Sequence, residues 1–143
     1  MNWRPLIVMA AGLVLATGYA SGATLQARLI RGTADPKADS PELKELKPKL
    51  VKVFGYPHYE QLTVHQATLK DRDPVDMDLG RGFVLFVKPK SVEKETYVVE
   101  IELTSGKASF VKSTFQVNKH GTVFIKGPEV GNTLVLVALT VQE

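Results

Sequence analysis

Hydrophobic positions follow three rhythms along this chain. Residues 6–16 carry no charged side chain, stand behind the single cation Arg4, and give way to the small residues Gly18, Ala20, Gly22 and Ala23. A positive start, an apolar centre and a small-residue exit predict a leader peptide removed on export. The spacing then turns helical, with Leu43, Leu46, Leu50 and Val53 on one face. From Gln61 onward it becomes alternation by two, the period of half-buried strands.

Turn residues divide the alternating part into elements. A first strand is predicted over residues 24–31, where Leu25, Ala27 and Leu29 alternate with Gln26 and Arg28. Residues 32–40 collect Gly, Pro, Asp and Ser and read as a loop. Ser40-Pro41-Glu42 is a helix-start signal, with Ser40 as the cap and Pro41 in the first turn. Glu42 and Glu45 come early, while Lys47, Lys49 and Lys52 come late, which complements the helix dipole. Gly55 is placed to stop the helix. Pro48 removes one helical hydrogen bond and crowds the carbonyl of Lys44, so a kink or two short helices are expected there.

Further on, Leu62, Val64 and Leu69 are apolar among polar neighbours, and residues 71–74 read as a turn. Val75, Met77 and Leu79 alternate with Asp76 and Asp78. After the turn Gly80-Arg81-Gly82, residues 83–87 are apolar on both faces and predict an interior strand. Residues 88–95, with Pro89, read as a polar loop. Tyr97, Val99, Ile101 and Leu103 alternate against Val98, Glu100, Glu102 and Thr104. Ser105-Gly106 and residues 118–121 read as turns, and Gly127-Pro128 with Gly131-Asn132 as brackets of a longer loop. Residues 134–141 are almost wholly apolar; on an edge such a run would aggregate, so a central strand is expected. About seven or eight short strands predict a mainly β fold, an antiparallel β-sandwich or partly open barrel with one short kinked N-terminal helix.

Composition narrows the setting. The apolar run up to Ala20 is about 15 residues, short of the roughly 20 that span a bilayer. Residues 1–23 are therefore read as a signal peptide and 24–143 as a single domain, with cleavage after Ala20 or after Ala23. The expected location is the periplasm or the extracellular space. There is no cysteine, which excludes disulfides, thiol catalysis, thiolate metal sites and a lipoprotein anchor. A domain of about 120 residues must then hold together by its core alone. The net charge of +3 is a slight excess of bases, not a basic patch, so nucleic acid is not the expected partner.

Candidate chemistry is sparse. Asp71, Asp73, Asp76 and Asp78 form an acidic cluster of the residue type that calcium needs. Pro74 breaks the loop pattern, however, and Asp76 and Asp78 also read as the wet face of a strand. His58, His65 and His120 match no zinc spacing. There is no Gly-x-Ser-x-Gly, no phosphate loop and no cofactor motif. A pair of acids can always converge on folding to give a hydrolase, but nothing selects one. Tyr56, His58 and Tyr59 follow the helix and offer a binding platform for a sugar or a peptide, or else pack the helix end onto the sheet. Phe86 and Phe124 fall opposite the inward series of their strands, so both faces of those strands are covered or one is a contact surface. Lys44, Lys47, Lys49 and Lys52 of the helix read as a solvated face, or as one that meets anionic lipid or an acidic partner.

A strand ending in Leu29-Ile30, then Leu43-Lys44-x-Leu46-x-Pro48-x-Leu50, Val53-Phe54-Gly55-Tyr56 and Tyr59, and the closing Phe124-Ile125-Lys126-Gly127-Pro128 with an apolar last strand, resemble a group of small exported proteins of planctomycete and verrucomicrobial bacteria. The resemblance spans nearly all of the mature chain, rests on packing and turn residues, and implies no catalytic residue. The resulting expectation is a non-enzymatic exported protein of the envelope that binds another protein. A ligand-binding module for a glycan or calcium is the alternative, and a hydrolase with an acid pair a further one. Membrane contact is expected only through the leader, should it stay uncleaved.

Overall fold

The structure, a computed structural model, describes residues 23–70 and 72–142. Eight strands build it: β1 (Thr24–Thr33), β2 (His58–Thr68), β3 (Val75–Gly80), β4 (Phe83–Glu93), β5 (Thr96–Ser105), β6 (Ala108–Asn118), β7 (Thr122–Val130) and β8 (Thr133–Gln142). They form two antiparallel four-stranded sheets, in the orders β2-β1-β8-β7 and β3-β4-β5-β6. Consecutive strands pair within each sheet, the chain crosses between sheets after β2 and after β6, and β8 returns to pair along the whole of β1, from Thr24↔Gln142 to Thr33↔Thr133. The architecture is a β-sandwich with the path of an up-and-down meander.

Alternation along the strands fills the space between the sheets. Leu25, Ala27 and Leu29 of β1, Met77 and Leu79 of β3, Leu85 and Val87 of β4, Val99, Ile101 and Leu103 of β5, and Val137, Leu139 and Val141 of β8 point inward and are buried. The other face of β8 is buried too: Leu134, Leu136 and Ala138 join Ile30, Leu43, Leu50 and Tyr59 in a second core outside the first sheet. This strand is central, between β1 and β7, as its apolar sequence requires.

The second core is roofed by the segment that connects β1 to β2. It makes a 3-10 turn at Pro36–Ala38, another at Pro41–Leu43, and one α-helix, α1 (Lys47–Phe54). The helical segment falls into two short pieces, one of the two outcomes expected of Pro48, and the break lies before that residue, which sits in the first turn of α1. Proline is tolerated there because no N–H is needed, so the chain restarts its helix on it. Gly55 ends α1 in the left-handed region (φ 88°), donating its N–H to Val51 O at 2.9 Å. Ser40 does not cap. Its Oγ instead accepts the N–H of Gln61 at 2.9 Å, and its own N–H goes to Tyr59 O at 2.9 Å. These bonds stitch the loop to β2, an edge strand of its sheet. The restart also changes which side chain packs: Val53 is 60% exposed, and Phe54 takes its place against Phe124 in an edge-to-face contact at 5.9 Å.

Two predicted loops are strand. β4 runs through residues 88–93, with Pro89 buried and in register with Val99. The pairing of β3 with β4 stops at Val75↔Val87, so Pro89 withholds a donor only where no ladder bond is asked of it. A register shift follows between Pro89 and Ser91. Likewise β7 continues through Gly127-Pro128, with a register shift against β8 between Lys126 and Glu129. The chain turns only at Gly131-Asn132.

Candidate functional site

The three residues expected to form a binding platform point to three different places. Tyr59 is buried to 1% exposure, and its hydroxyl donates to Leu50 O at 2.8 Å under α1. Burial pushes its phenol up from the ordinary tyrosine value. It offers no ring face to a sugar and takes the other course the sequence left open, packing the helix end onto the sheet: a small domain spends its largest side chains on its core. Tyr56 turns to the far edge of the sheet, where its hydroxyl donates to Glu129 Oε2 at 2.5 Å. That bond favours a protonated phenol and an ionised carboxylate, so Tyr56 is raised and Glu129 lowered, the latter helped by Lys126 at 3.4 Å.

His58 joins a different cluster. Its Nδ1 lies 2.7 Å from Asp39 Oδ2, which also receives Lys47 Nζ at 2.9 Å, while Asp39 Oδ1 accepts the N–H of Tyr59 at 3.0 Å. The hydrogen bond from His58 comes first, then those from Lys47 and Tyr59, in holding the Asp39 carboxyl well below the usual range. One carboxylate thereby ties the loop, the start of α1 and the start of β2 together. The arrangement is a clasp: both oxygens of Asp39 are occupied by the chain's own donors. Sequence reasoning missed Asp39 because nothing local marks a residue whose partner lies 19 positions away. Arg31 and Glu60, cross-strand partners on β1 and β2, make a further ion pair.

The described members of the acidic cluster do not converge. Asp71 lies outside the described residues. Asp73 closes the turn through its N–H to Lys70 O at 2.9 Å. Asp76 and Asp78 are exposed on the outer face of β3, and Asp78 Oδ1 accepts the N–H of Gly80 at 2.9 Å. Among the described residues no group of three or more His, Asp or Glu is placed to hold a metal ion. His65 lies on β2, and His120 sits in the turn between β6 and β7 with φ 63°.

What remains is a surface. The first sheet is roofed on its outside by α1 and the Pro41–Leu43 turn. Among the described residues no helix packs on the outside of the second sheet. There Phe86 stands between Asp76 of β3 and Glu102 of β5, Val84 between Asp78 and Thr104, and Lys88 opposite Glu100. Lys112 follows Glu102 on β6, and Ser109 Oγ donates to Glu102 Oε2 at 2.9 Å. Val84, Phe86 and Val98 are half-buried on this face. Of the two aromatics read as facing the wrong way, Phe124 is covered by Phe54 and Phe86 is not covered by a helix. The remaining members of the face were within reach of the alternation: once residues 97–103 point Tyr97 and Val99 inward, Val98, Glu100 and Glu102 must share the opposite side. No helix among the described residues is long and apolar enough to cross a membrane. Comparison of the chain with protein-family models, with curated proteins and with solved structures finds no match.

Proposed function

We propose that this protein is a non-enzymatic, exported module of the cell envelope that binds another protein across the outer face of sheet β3-β4-β5-β6. The observation that carries the reading is the inequality of the two outer faces. One is roofed by the chain's own helix, while the other leaves Val84, Phe86 and Val98 half-buried without one. An aromatic set among polar side chains is the usual build of an interface centre with its rim. The rim has a sign. Asp76, Asp78, Glu100 and Glu102 outnumber Lys88 and Lys112 on this face, so the fitting partner presents an apolar side chain flanked by lysine or arginine. The leader-like start of the chain supports export.

The test is capture of envelope proteins by the purified domain, in the wild type, in Phe86→Lys and in Val53→Lys. Val53 is a fair control because it is exposed on α1, away from this face. The expected result is a set of proteins retained by wild type and Val53→Lys and lost about tenfold or more with Phe86→Lys, the size of a central interface residue. Equal capture by Phe86→Lys, with its circular dichroism unchanged, would refute the reading.

A further inference from the structure

We propose that two copies of this chain associate through strand β6, edge to edge and antiparallel, so that the sheet β3-β4-β5-β6 of each joins the other in one continuous sheet. This contact is separate from the outer-face binding proposed above and uses a different surface, the free flank of the second sheet.

Among the described residues β6 pairs with β5 alone, so every second residue turns its N–H and C=O away from the sheet. The other three edges are less open. The start of β2 is held by Asp39 and Ser40, β3 is short and its Leu79 O accepts the Thr63 hydroxyl of β2 at 2.7 Å, and β7 carries Pro128 within a register shift. Alternation should bury Val111, Ser113, Phe115 and Val117 of β6, as it buries their partners Leu103, Ile101, Val99 and Tyr97 on β5. Only Val117 is buried; Val111 and Phe115 are half-buried and Ser113 is exposed. The core side of the sheet therefore opens to water along this flank.

The residues of the flank select a second copy and a register. A two-fold axis through a strand edge must set one residue opposite its own twin, because only then do inward side chains meet inward ones. Val111-Lys112-Ser113-Thr114-Phe115 is symmetric in character about Ser113. With the axis there, Val111 stands opposite the second copy's Phe115 on the core side, and Lys112 opposite the second copy's Thr114 on the outer side. An axis at Lys112 would oppose two ammonium groups, and one at Thr114 would set Ser113 against Phe115; both are poorer cross-strand pairs. Charge agrees with the Ser113 axis. Glu102 lies beside Lys112 and Glu100 beside Thr114, so a row across the joined sheet reads Glu102 and Lys112 of one copy, then Thr114 and Glu100 of the other. No like charges are adjacent, and each lysine moves toward an acid of the second copy.

The test is sedimentation velocity on the domain from Ser21 onward, which holds every described residue, over roughly 10 μM to 1 mM chain, the range of weak specific contacts. Wild type is expected to pass reversibly from monomer to dimer. Thr114→Glu sets a carboxylate against the second copy's Lys112, twice in the symmetric contact, and should tighten the dimer about threefold or more; Thr114→Lys should loosen it about tenfold. Thr114 is exposed, so both variants should keep the fold, which circular dichroism checks. A wild type that stays monomeric over the whole range overturns the β6 contact and leaves the outer-face reading standing. A dimer that both variants leave unchanged, or that Thr114→Glu weakens, overturns it as well, since that is the behaviour of another surface or of an axis at Thr114.

Discussion

Tyr59 decides whether the segment after α1 is a binding element or a structural one, and two substitutions weigh the answer. Tyr59→Phe removes only the hydroxyl that donates to Leu50 O at 2.8 Å, a loss of about 0.5–1.5 kcal/mol. Tyr59→Ala also removes a ring that is 1% exposed, and large aromatic truncations in a core cost about 3–5 kcal/mol. Against a total of about 5–15 kcal/mol, that is a large share of the stability. Gly32 supplies an internal control. It pairs with Tyr59 across the β1–β2 ladder, and a methyl added there would lie 2.7 Å from Tyr59 Cε1 and 3.2 Å from Cδ1. Gly32→Ala should therefore cost about 1–3 kcal/mol by overpacking, and most of that cost should vanish in the Tyr59→Ala background, a coupling between touching residues. The assay is urea unfolding followed by far-ultraviolet circular dichroism, because the one tryptophan, Trp3, lies in the predicted leader. With a slope of about 1–3 kcal/mol per molar urea, a loss of 3 kcal/mol lowers the midpoint by about 1–3 M. A Tyr59→Ala domain within about 0.5 kcal/mol of wild type, or a Gly32→Ala cost that stays the same without the ring, would refute the packing account.

Two more outcomes follow from the clasp and from the β7–β8 approach. The Asp39 carboxyl is held below its ordinary value of 3.8 by His58, Lys47 and the Tyr59 N–H, so its contribution is complete above the unfolded value and is lost as pH falls from there through the folded one. Wild type should lose melting temperature more steeply than Asp39→Asn below about pH 4, and parallel curves would contradict the clasp. Gly127→Ala should lower stability by about 1–3 kcal/mol in urea melts, because its new methyl would sit 2.7 Å from the backbone oxygen of Val135 and 3.5 Å from Leu103 Cδ2; an unchanged midpoint would mean that β7 can move away.

The fold was legible wherever burial is one-sided. Alternation marked β1, β3, β5 and the apolar β8, because a strand with one wet face writes its period into the sequence. The failures share a cause. Pro89 and Gly127-Pro128 are loop residues by local propensity, yet both lie in strands beside register shifts, and which flank of a strand is left unpaired is a tertiary fact. Val53 and Phe54 are adjacent, and spacing cannot choose between them until Phe124 is brought underneath. The candidate site was less legible still. The Asp39 clasp and the Tyr56–Glu129 bond join residues far apart in sequence, and a cluster of aspartates reads alike whether it converges or lines a strand.

The two outer faces remain the strongest asymmetry in the molecule, and fold stability does not require both halves of it. The first sheet turns Ile30, Leu134, Leu136 and Ala138 outward, four apolar residues that must be covered, and the β1–β2 connection covers them. The second sheet turns out mostly charge and hydroxyl, and that face could be wholly polar without cost to the core beneath. Strand propensity alone does not demand Val84 and Phe86 there, since threonine serves an exposed strand position nearly as well. Replacing both with Thr separates the two explanations. If these side chains serve recognition, the double variant should keep its melting midpoint within about 1 kcal/mol of wild type and lose partner capture. If they serve the fold, stability should fall by about 2 kcal/mol or more while any capture by the folded fraction persists, and the open face would cease to be a reason for assigning this domain a partner.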